Sequence, residues 1–545
     1  MTNDTAGADK RSQQLDSWKA IADYLKRDVR TVQRWERQEG LPVRRKLHDK
    51  LSSVYALKPE LDEWWDKGRA VAVRVDGEPA RPRRPLLAVL PLRNLSGNQE
   101  EDYFSDGLTE ELISQLSCIN PEQLGVIARG STIRYKGVST DINRIARELG
   151  ANYILDGSVR RSNNRVRIAV QLVEVSDQGH LWADSYDREL SDILDLQAEV
   201  AKAVTAQISV RLTARAAERL SKVRPVTPEA YEAYLRGRLL WNQRSASSIM
   251  KAAGLFERAI SIDPGYAPAH AGLVDCYAML SAMAMGAASP AEMIPKAKAA
   301  ASRALELDPQ LAEAHASLGC IQLFFDWDWP AAHASFDRAL KLNPNYPPGR
   351  QWYAEYLATL GRVPEAIDEL ARAQEIDPLS LTIPEALAAM HYFARDFDRA
   401  IYYSQRTLDA DPDFALAYLN LGRAYVQKHL YRQAIATLTD ARERFPDATT
   451  VLMTLGHAYA CAGKKEQAQG IIAKLRTIAR RRYVPAFHFA AIYTALGDYG
   501  QAFRWLAKAR QERCDYLVYL DREPGADPLR SDPRFLALIP RPSAN

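Results

Sequence analysis

Prolines fall at nearly even intervals through the second half of this 545-residue sequence, and that spacing constrains the fold more than any other feature. Pro264, Pro309, Pro344, Pro378, Pro412 and Pro446 each close an apolar run at helical spacing. The last three intervals are 34 residues, the one before them is 35 and the first is 45, with the extra residues around 282–290. Proline lacks an amide donor and clashes with the preceding turn, so it stops a helix. A fixed period of this size predicts a stacked array, in which each unit buries the apolar face of its neighbour.

The same residues recur between the prolines. One unit shows Tyr418, Leu421, Gly422, Tyr425, Ala434, Leu438 and Ala441; the next shows Leu455, Gly456, Tyr459, Ala468 and Ile472; a last one shows Tyr493, Ala502, Leu506 and Ala509. Small residues such as Gly422 and Ala434 allow two helices to cross closely, with Tyr425 and Leu438 filling the space beside them. This pattern resembles the tetratricopeptide repeat over residues 228–513, about eight units. The resemblance implies an all-α solenoid that binds a protein or peptide in its groove or mediates self-association. Asn242, Arg350, Tyr353, Asn420 and Arg423 are candidate partner contacts on the inner face; the alternative is ordinary solvated surface. Residues 514–545 read as a C-terminal tail.

The net charge of +4 is small for this length, so any nucleic-acid site must be local. The first residues, 1–16, are polar and read as a disordered tail. Within 17–67, Trp18, Ile21, Ala22 and Leu25 share one helical face, and Lys26-Arg27-Asp28 makes a short turn. A second helix over 30–37 buries Val32 and Trp35 and presents Arg30, Thr31, Gln33, Arg34 and Arg37. Then come Arg44, Arg45, Lys46 and Lys50, a strand over 53–57 and a helix over 59–65. This layout resembles the small winged helix-turn-helix of the MerR and excisionase class. The resemblance implies double-stranded DNA as ligand, with the second helix in the major groove and the basic wing on the backbone. Any single arginine here is better read as a phosphate neutraliser or solvated charge than as a base reader. A proline- and arginine-rich linker follows over 68–85.

Residues 86–212 alternate strand and helix signals, which predicts an α/β (α+β) middle domain. Strands are expected over 86–92 and 124–129, helices over 108–116 and 142–149, a hairpin from 153–160 and 166–175, a strand over 180–186 and a closing helix over 193–212. The stretches Leu87-Ala88-Val89-Leu90-Pro91, Phe104-Ser105-Asp106-Gly107-Leu108, Ile154-Leu155-Asp156-Gly157-Ser158 and His180-Leu181-Trp182-Ala183 resemble the TolB N-terminal-like domain, related to the FlgO fold, of bacterial multidomain regulators. Some relatives carry an adenylate-cyclase domain ahead of it; here the helix-turn-helix stands in that place. Asp106, Asp156, Arg160 and His180 could form a ligand or metal site, but capping and surface pairing is the preferred reading.

The five cysteines form no Cys-x-x-Cys pair, so neither a disulfide framework nor a structural zinc site is expected. Phosphate-binding, nucleophile-elbow and zinc-protease motifs do not occur. Neither a signal peptide nor a run of about 18 apolar residues is read, so a cytoplasmic location away from the membrane is expected. The expectation is a multidomain, non-enzymatic, DNA-binding regulator without metal or cofactor, working as a homodimer because one reader of this size buries little surface. The rival is a scaffold whose helix-turn-helix docks protein; a third reading is a nucleotide-signalling protein.

Overall fold

The computed structural model describes residues 14–25, 29–38, 40–48, 51–61, 84–138, 141–162, 164–176, 179–221 and 224–542. The chain divides into two compact units, residues 1–81 and 82–545.

In the first unit, α1 (Trp18–Leu25) and α2 (Val29–Gln38) precede an antiparallel hairpin of β2 (Arg44–His48) and β3 (Leu51–Leu57). A two-residue strand, β1 (Gln14–Leu15), pairs with the other edge of β3. Ile21 and Ala22 from α1, Val32 and Trp35 from α2, and Leu41, Ala56 and Leu61 form one small core, as the helical spacing requires. Trp18 and Leu25 pack at its border rather than inside it.

The second unit opens with a six-stranded sheet. β4 (Leu86–Val89) lies parallel to β6 (Gly125–Val126) on one side and to β7 (Tyr153–Ser162) on the other, and β5 (Arg93–Asn94) extends along β7. β7, β8 (Arg165–Glu174) and β9 (His180–Glu189) continue as an antiparallel meander. α3 (Asp102–Ser117), α6 (Ile193–Gln207) and α7 (Ala214–Ser221) share the core on one face of the sheet with Leu87 and Val89. α5 (Ile142–Leu149) packs on the other face with Ala88, Leu90 and Ile154, and α4 (Arg129–Thr132) follows β6. α5 shows how local sequence sets an element: Asp141 caps its first turn by accepting from the Asn143 amide, and Gly150 ends it in the left-handed conformation at φ 65°.

Eight helix pairs follow among the described residues: α8–α9 (Pro228–Trp241, Ala246–Ile262), α10–α11 (Ala267–Ser281, Pro290–Leu307), α12–α13 (Ala312–Ile321, Trp329–Leu342) and α14–α15 (Pro347–Thr359, Val363–Ile376). The last four are α16–α17 (Thr382–Phe393, Phe397–Ala410), α18–α19 (Ala415–Gln427, Tyr431–Arg444), α20–α21 (Thr449–Cys461, Lys465–Ala479) and α22–α23 (Ala486–Leu496, Tyr499–Gln511). Close crossing within a pair depends on a missing side chain. A Cβ on Gly319 in α12 would sit 2.7 Å from the Phe336 ring of α13, and one on Gly422 in α18 would sit 2.8 Å from Leu438 of α19. One continuous core runs from Leu87, Leu108 and Val204 of the sheet layer into Tyr231, Phe256 and Val274 of the first pairs. Middle region and solenoid are therefore a single packed body rather than two beads on a string.

Two further departures from the sequence expectations bear on function. The residues that lengthen the first interval form a connection between α10 and α11 that reaches the far repeats: the Thr450 hydroxyl donates to the Ala284 carbonyl at 3.1 Å. The expected tail is folded: residues 515–519, 524–529 and 533–538 form short helical turns. Leu517, Leu520, Leu529 and Phe535 there are 1% exposed or less, in one core with Leu357 and Leu387.

Candidate functional site

Two regions carry candidate sites, one in each unit. In the first, Arg30, Thr31, Arg34 and Arg37 fall on α2 and Lys46 on β2, but their side chains lie outside the described residues, as does Lys50 altogether. Gln33 is half-buried on α2. Arg44 and Arg45 are exposed at the start of the hairpin, and each already holds a carboxylate: Arg44 with Glu60 at 2.5 Å and Arg45 with Glu36 at 2.8 Å. Exposed pairs of this kind contribute about 0–1 kcal/mol, so a competing anion displaces them at little cost.

The second region is the channel lined by the first helices of the later pairs. Its centre is Arg423 on α18, whose guanidinium lies 4.1 Å over the Tyr392 ring of α16 and pairs with Glu523. The Glu523 carboxylate also accepts from the Tyr392 hydroxyl at 2.6 Å, the Tyr516 hydroxyl at 2.5 Å and the Gly525 amide at 2.8 Å. Burial alone would raise the pKa of Glu523, but Arg423 and the two phenols hold it below the usual carboxylate value. Nearby, Asp527 is gripped at both oxygens by Arg395, at 2.8 and 2.7 Å. The Tyr519 hydroxyl donates to Glu355 at 3.2 Å, and Asp515 accepts the Met283 amide at 2.9 Å. Burial raises Glu355 to a pKa of about 7; burial, with the neighbouring Glu355 charge, raises Glu385 to about 8. Residues 514–539 thus fill the channel. The space left between them, α18, α20 and α22 is about 40 Å³, enough for a few water molecules and no peptide.

This placement corrects the candidate partner contacts. Asn420 is 2% exposed and donates to Glu385, and Arg423 is committed to Glu523. Arg350 holds Glu369 at 2.6 Å and the Pro344 carbonyl at 2.8 Å, while the Tyr353 ring stacks on Tyr356. Asn242 donates to Glu110 of α3 at 3.1 Å. Of the five only Arg423 meets the segment that fills the channel; Asn242, Arg350 and Asn420 bond to neighbouring helices, and Tyr353 is half-buried. Sequence reasoning missed Arg395, Glu523 and Asp527. The signal was the apolar density of residues 516–520, Tyr-Leu-Val-Tyr-Leu, too high for a solvated tail.

Where the sheet layer meets the first repeats, Glu110 is held by Arg238 of α8 at 3.0 Å and by Arg129 at 3.4 Å. Asp106 pairs with Lys136 at 2.9 Å, and Asp156 lies 3.6 Å from Arg93. These partners, together with the exposure of His180 on the outer strand β9, do not bring Asp106, Asp156 and His180 into one cluster. Among the described residues no group of three or more His, Cys, Asp or Glu side chains is arranged to hold a metal, and no helix is long and apolar enough to cross a membrane.

Residues 83–203 match the family described as HilA/YgeH-like transcriptional regulator, second domain. Residues 328–380 and 394–449 each match a tetratricopeptide-repeat family. The C-terminal region is a tetratricopeptide solenoid. Over 213 residues the chain is 44% identical to a putative adenylate cyclase 3 of Rhizobium meliloti (strain 1021), covering 38% of this chain and 36% of that protein. Over 122 residues it is 26% identical to human tetratricopeptide repeat protein 13, covering 22% of this chain and 14% of that one. The chain thus spans 36% of the first curated relative's length and 14% of the second's. Among solved structures, the human IFIT1 dimer with PPP-AAAA aligns at a TM-score of 0.41 and 15% identity, over 63% of this chain and 78% of that one. A tetratricopeptide protein of Thermus thermophilus aligns at 0.31 and 18%, over 36% and 99%.

Proposed function

We propose that this chain is a DNA-binding transcriptional regulator whose solenoid engages a protein partner. The observation that carries the reading is the match of residues 83–203 to a transcriptional-regulator domain, directly after a unit built as two short helices and a basic hairpin. In this reading the first unit is a winged helix-turn-helix. α2 enters the major groove of duplex DNA, with Arg30, Thr31, Gln33, Arg34 and Arg37 toward bases and phosphates. Arg44 and Arg45, with Lys46 and Lys50, neutralise the backbone. Exchange of a carboxylate for a phosphate at Arg44 and Arg45 is inexpensive on the arginine side, since both guanidinium groups stand in water. The regulator acts as a homodimer in the cytoplasm, without metal or cofactor, and by binding rather than by catalysis. The resemblance of the middle domain to the TolB N-terminal-like class belongs to this reading too.

The test is selection of the full chain on a random duplex library at about 150 mM salt, where non-specific phosphate contacts are weak. One enriched motif, lost when Arg30, Arg34 and Arg37 are changed to alanine, is the expected result. Absence of enrichment would replace this reading by a scaffold whose first unit docks protein. The similarity to a protein named a putative adenylate cyclase favours a nucleotide-signalling role as second reading. Conversion of ATP to cyclic AMP by the purified chain with magnesium would establish it.

A further inference from the structure

Residues 514–539 occupy the solenoid channel without the features of a ninth repeat. They form three short turns rather than a helix pair. They leave the last repeat through Arg513, a non-glycine residue at φ 56°. Their anchors are side chains at spaced positions: the Tyr516 hydroxyl accepts from Arg423, the Tyr519 hydroxyl donates to Glu355, Glu523 accepts from Tyr392 and Asp527 from Arg395. Tyr519 stacks on Phe393 at 4.9 Å and lies 6.1 Å from Phe324, which belongs to a π-helical turn after α12. Spaced aromatic rings followed by carboxylates that meet arginines match one mode by which a groove reads a linear acidic peptide.

We infer that the channel is a peptide receptor occupied by its own C-terminal segment, and that its outside ligand is an acidic, aromatic peptide of a partner protein that replaces this segment. This inference rests on the reading of the solenoid as a protein-interaction module. The ligand carries a tyrosine, or another ring with a hydrogen-bond donor, seven residues before a carboxylate and a second carboxylate four residues later. That is the spacing of Tyr516, Glu523 and Asp527. The buried Arg423 selects the first charge, while Arg395, half-exposed with Asp527, only meets the second; Tyr392 and Phe393 select the rings. A tethered segment competes at an effective concentration of about millimolar, so the closed channel rejects weak ligands and admits one that matches the anchors better. The partner is chosen by this threshold as well as by its sequence.

The test uses the full chain and a fluorescent peptide of residues 514–540. With Glu523→Arg and Asp527→Arg the segment is expected to leave the channel, and the peptide to bind at least about tenfold tighter than to the unaltered chain. Adding Arg423→Glu should abolish that binding, and a peptide carrying Glu523→Arg should recover it. A second chain, with a protease site inserted after Arg513 and cut in the native state, guards against a variant that fails to fold. Its nicked segment should exchange for labelled peptide. A nicked segment that never exchanges, or charge variants that take up no peptide while keeping their helical signal, would overturn the inference. Success of the duplex-library selection beside such a failure would leave the regulator reading standing and remove only the receptor.

Discussion

The hairpin of the first unit and the channel of the second place arginines against carboxylates in opposite circumstances. Arg44 and Arg45 have side chains 52% and 57% exposed, over carboxylates of Glu60 and Glu36 that are 30% and 18% exposed, whereas Arg423 and Glu523 are 11% and 9% exposed. The chemistry is the same and the surroundings decide its weight. In the hairpin the arginines stand in water, so each pair is loosely held from the arginine side and the guanidinium is free to change partner. In the channel, loss of one member strands the other without solvent, so the pair behaves as a latch. A binding surface for a polyanion needs the first kind; a site that must distinguish its own segment from another needs the second.

The sharpest way to break this contrast is Arg423→Ala. It leaves Glu523 buried without its cation, and chemical denaturation should register a loss of roughly 3–5 kcal/mol. An effect below about 1 kcal/mol would put the channel pair in the same class as the hairpin pairs. Gly319→Val comes next: its Cβ meets the Phe336 ring, overpacking the α12–α13 crossing by roughly 1–3 kcal/mol, measurable as a lowered melting temperature with the hairpin untouched.

The pH dependence sharpens the contrast further. Glu385 and Glu355 have folded pKa values raised to about 8 and about 7, above the roughly 4.3 expected when unfolded. Each therefore binds its proton more tightly when folded. That contribution is complete below about pH 4 and is lost as pH rises through 7 to 8. The chain should lose stability progressively between about pH 4 and 8 in denaturation series, and Glu385→Gln should flatten the loss. Smallest is the effect of Arg44→Ala and Arg45→Ala on stability, below about 1 kcal/mol each. If the hairpin meets phosphate, each change should lower the salt-dependence slope of duplex binding by about 1.

What was legible in the sequence was what repeats or alternates. The 34-residue proline spacing gave the helix pairs, and the alternation around residues 153–175 gave β7 and β8 almost to the residue. Elements held by distant partners were misjudged. The strand expected over 124–129 is only Gly125–Val126, because Arg129 begins a helical turn whose Ser131 bonds Asp377 of the solenoid at 2.6 Å. The helix expected from residue 108 begins at Asp102, where Tyr103 and Phe104 are buried. The closing helix stops at Gln207, shortly before Ser209 adopts φ 54°. The occupied channel left no periodic trace: Arg423 and Glu523 are a hundred positions apart, and each alone reads as a solvated charge. In the first unit the helices and hairpin followed from the placement of Val32, Trp35 and Gly40, all local cues.

The connection between α10 and α11 gives this solenoid a property that stacked repeats ordinarily lack. In an open array each unit touches only its neighbours, so the ends fray and unravelling proceeds step by step. Here Ala284 meets Thr450, Gly286 faces Pro485, and Met283 meets Asp515, so an early turn is buckled to the last ones. The repeats between them are enclosed in a loop. Hydrogen exchange along α12 to α20 should follow one shared opening event rather than a gradient from either end.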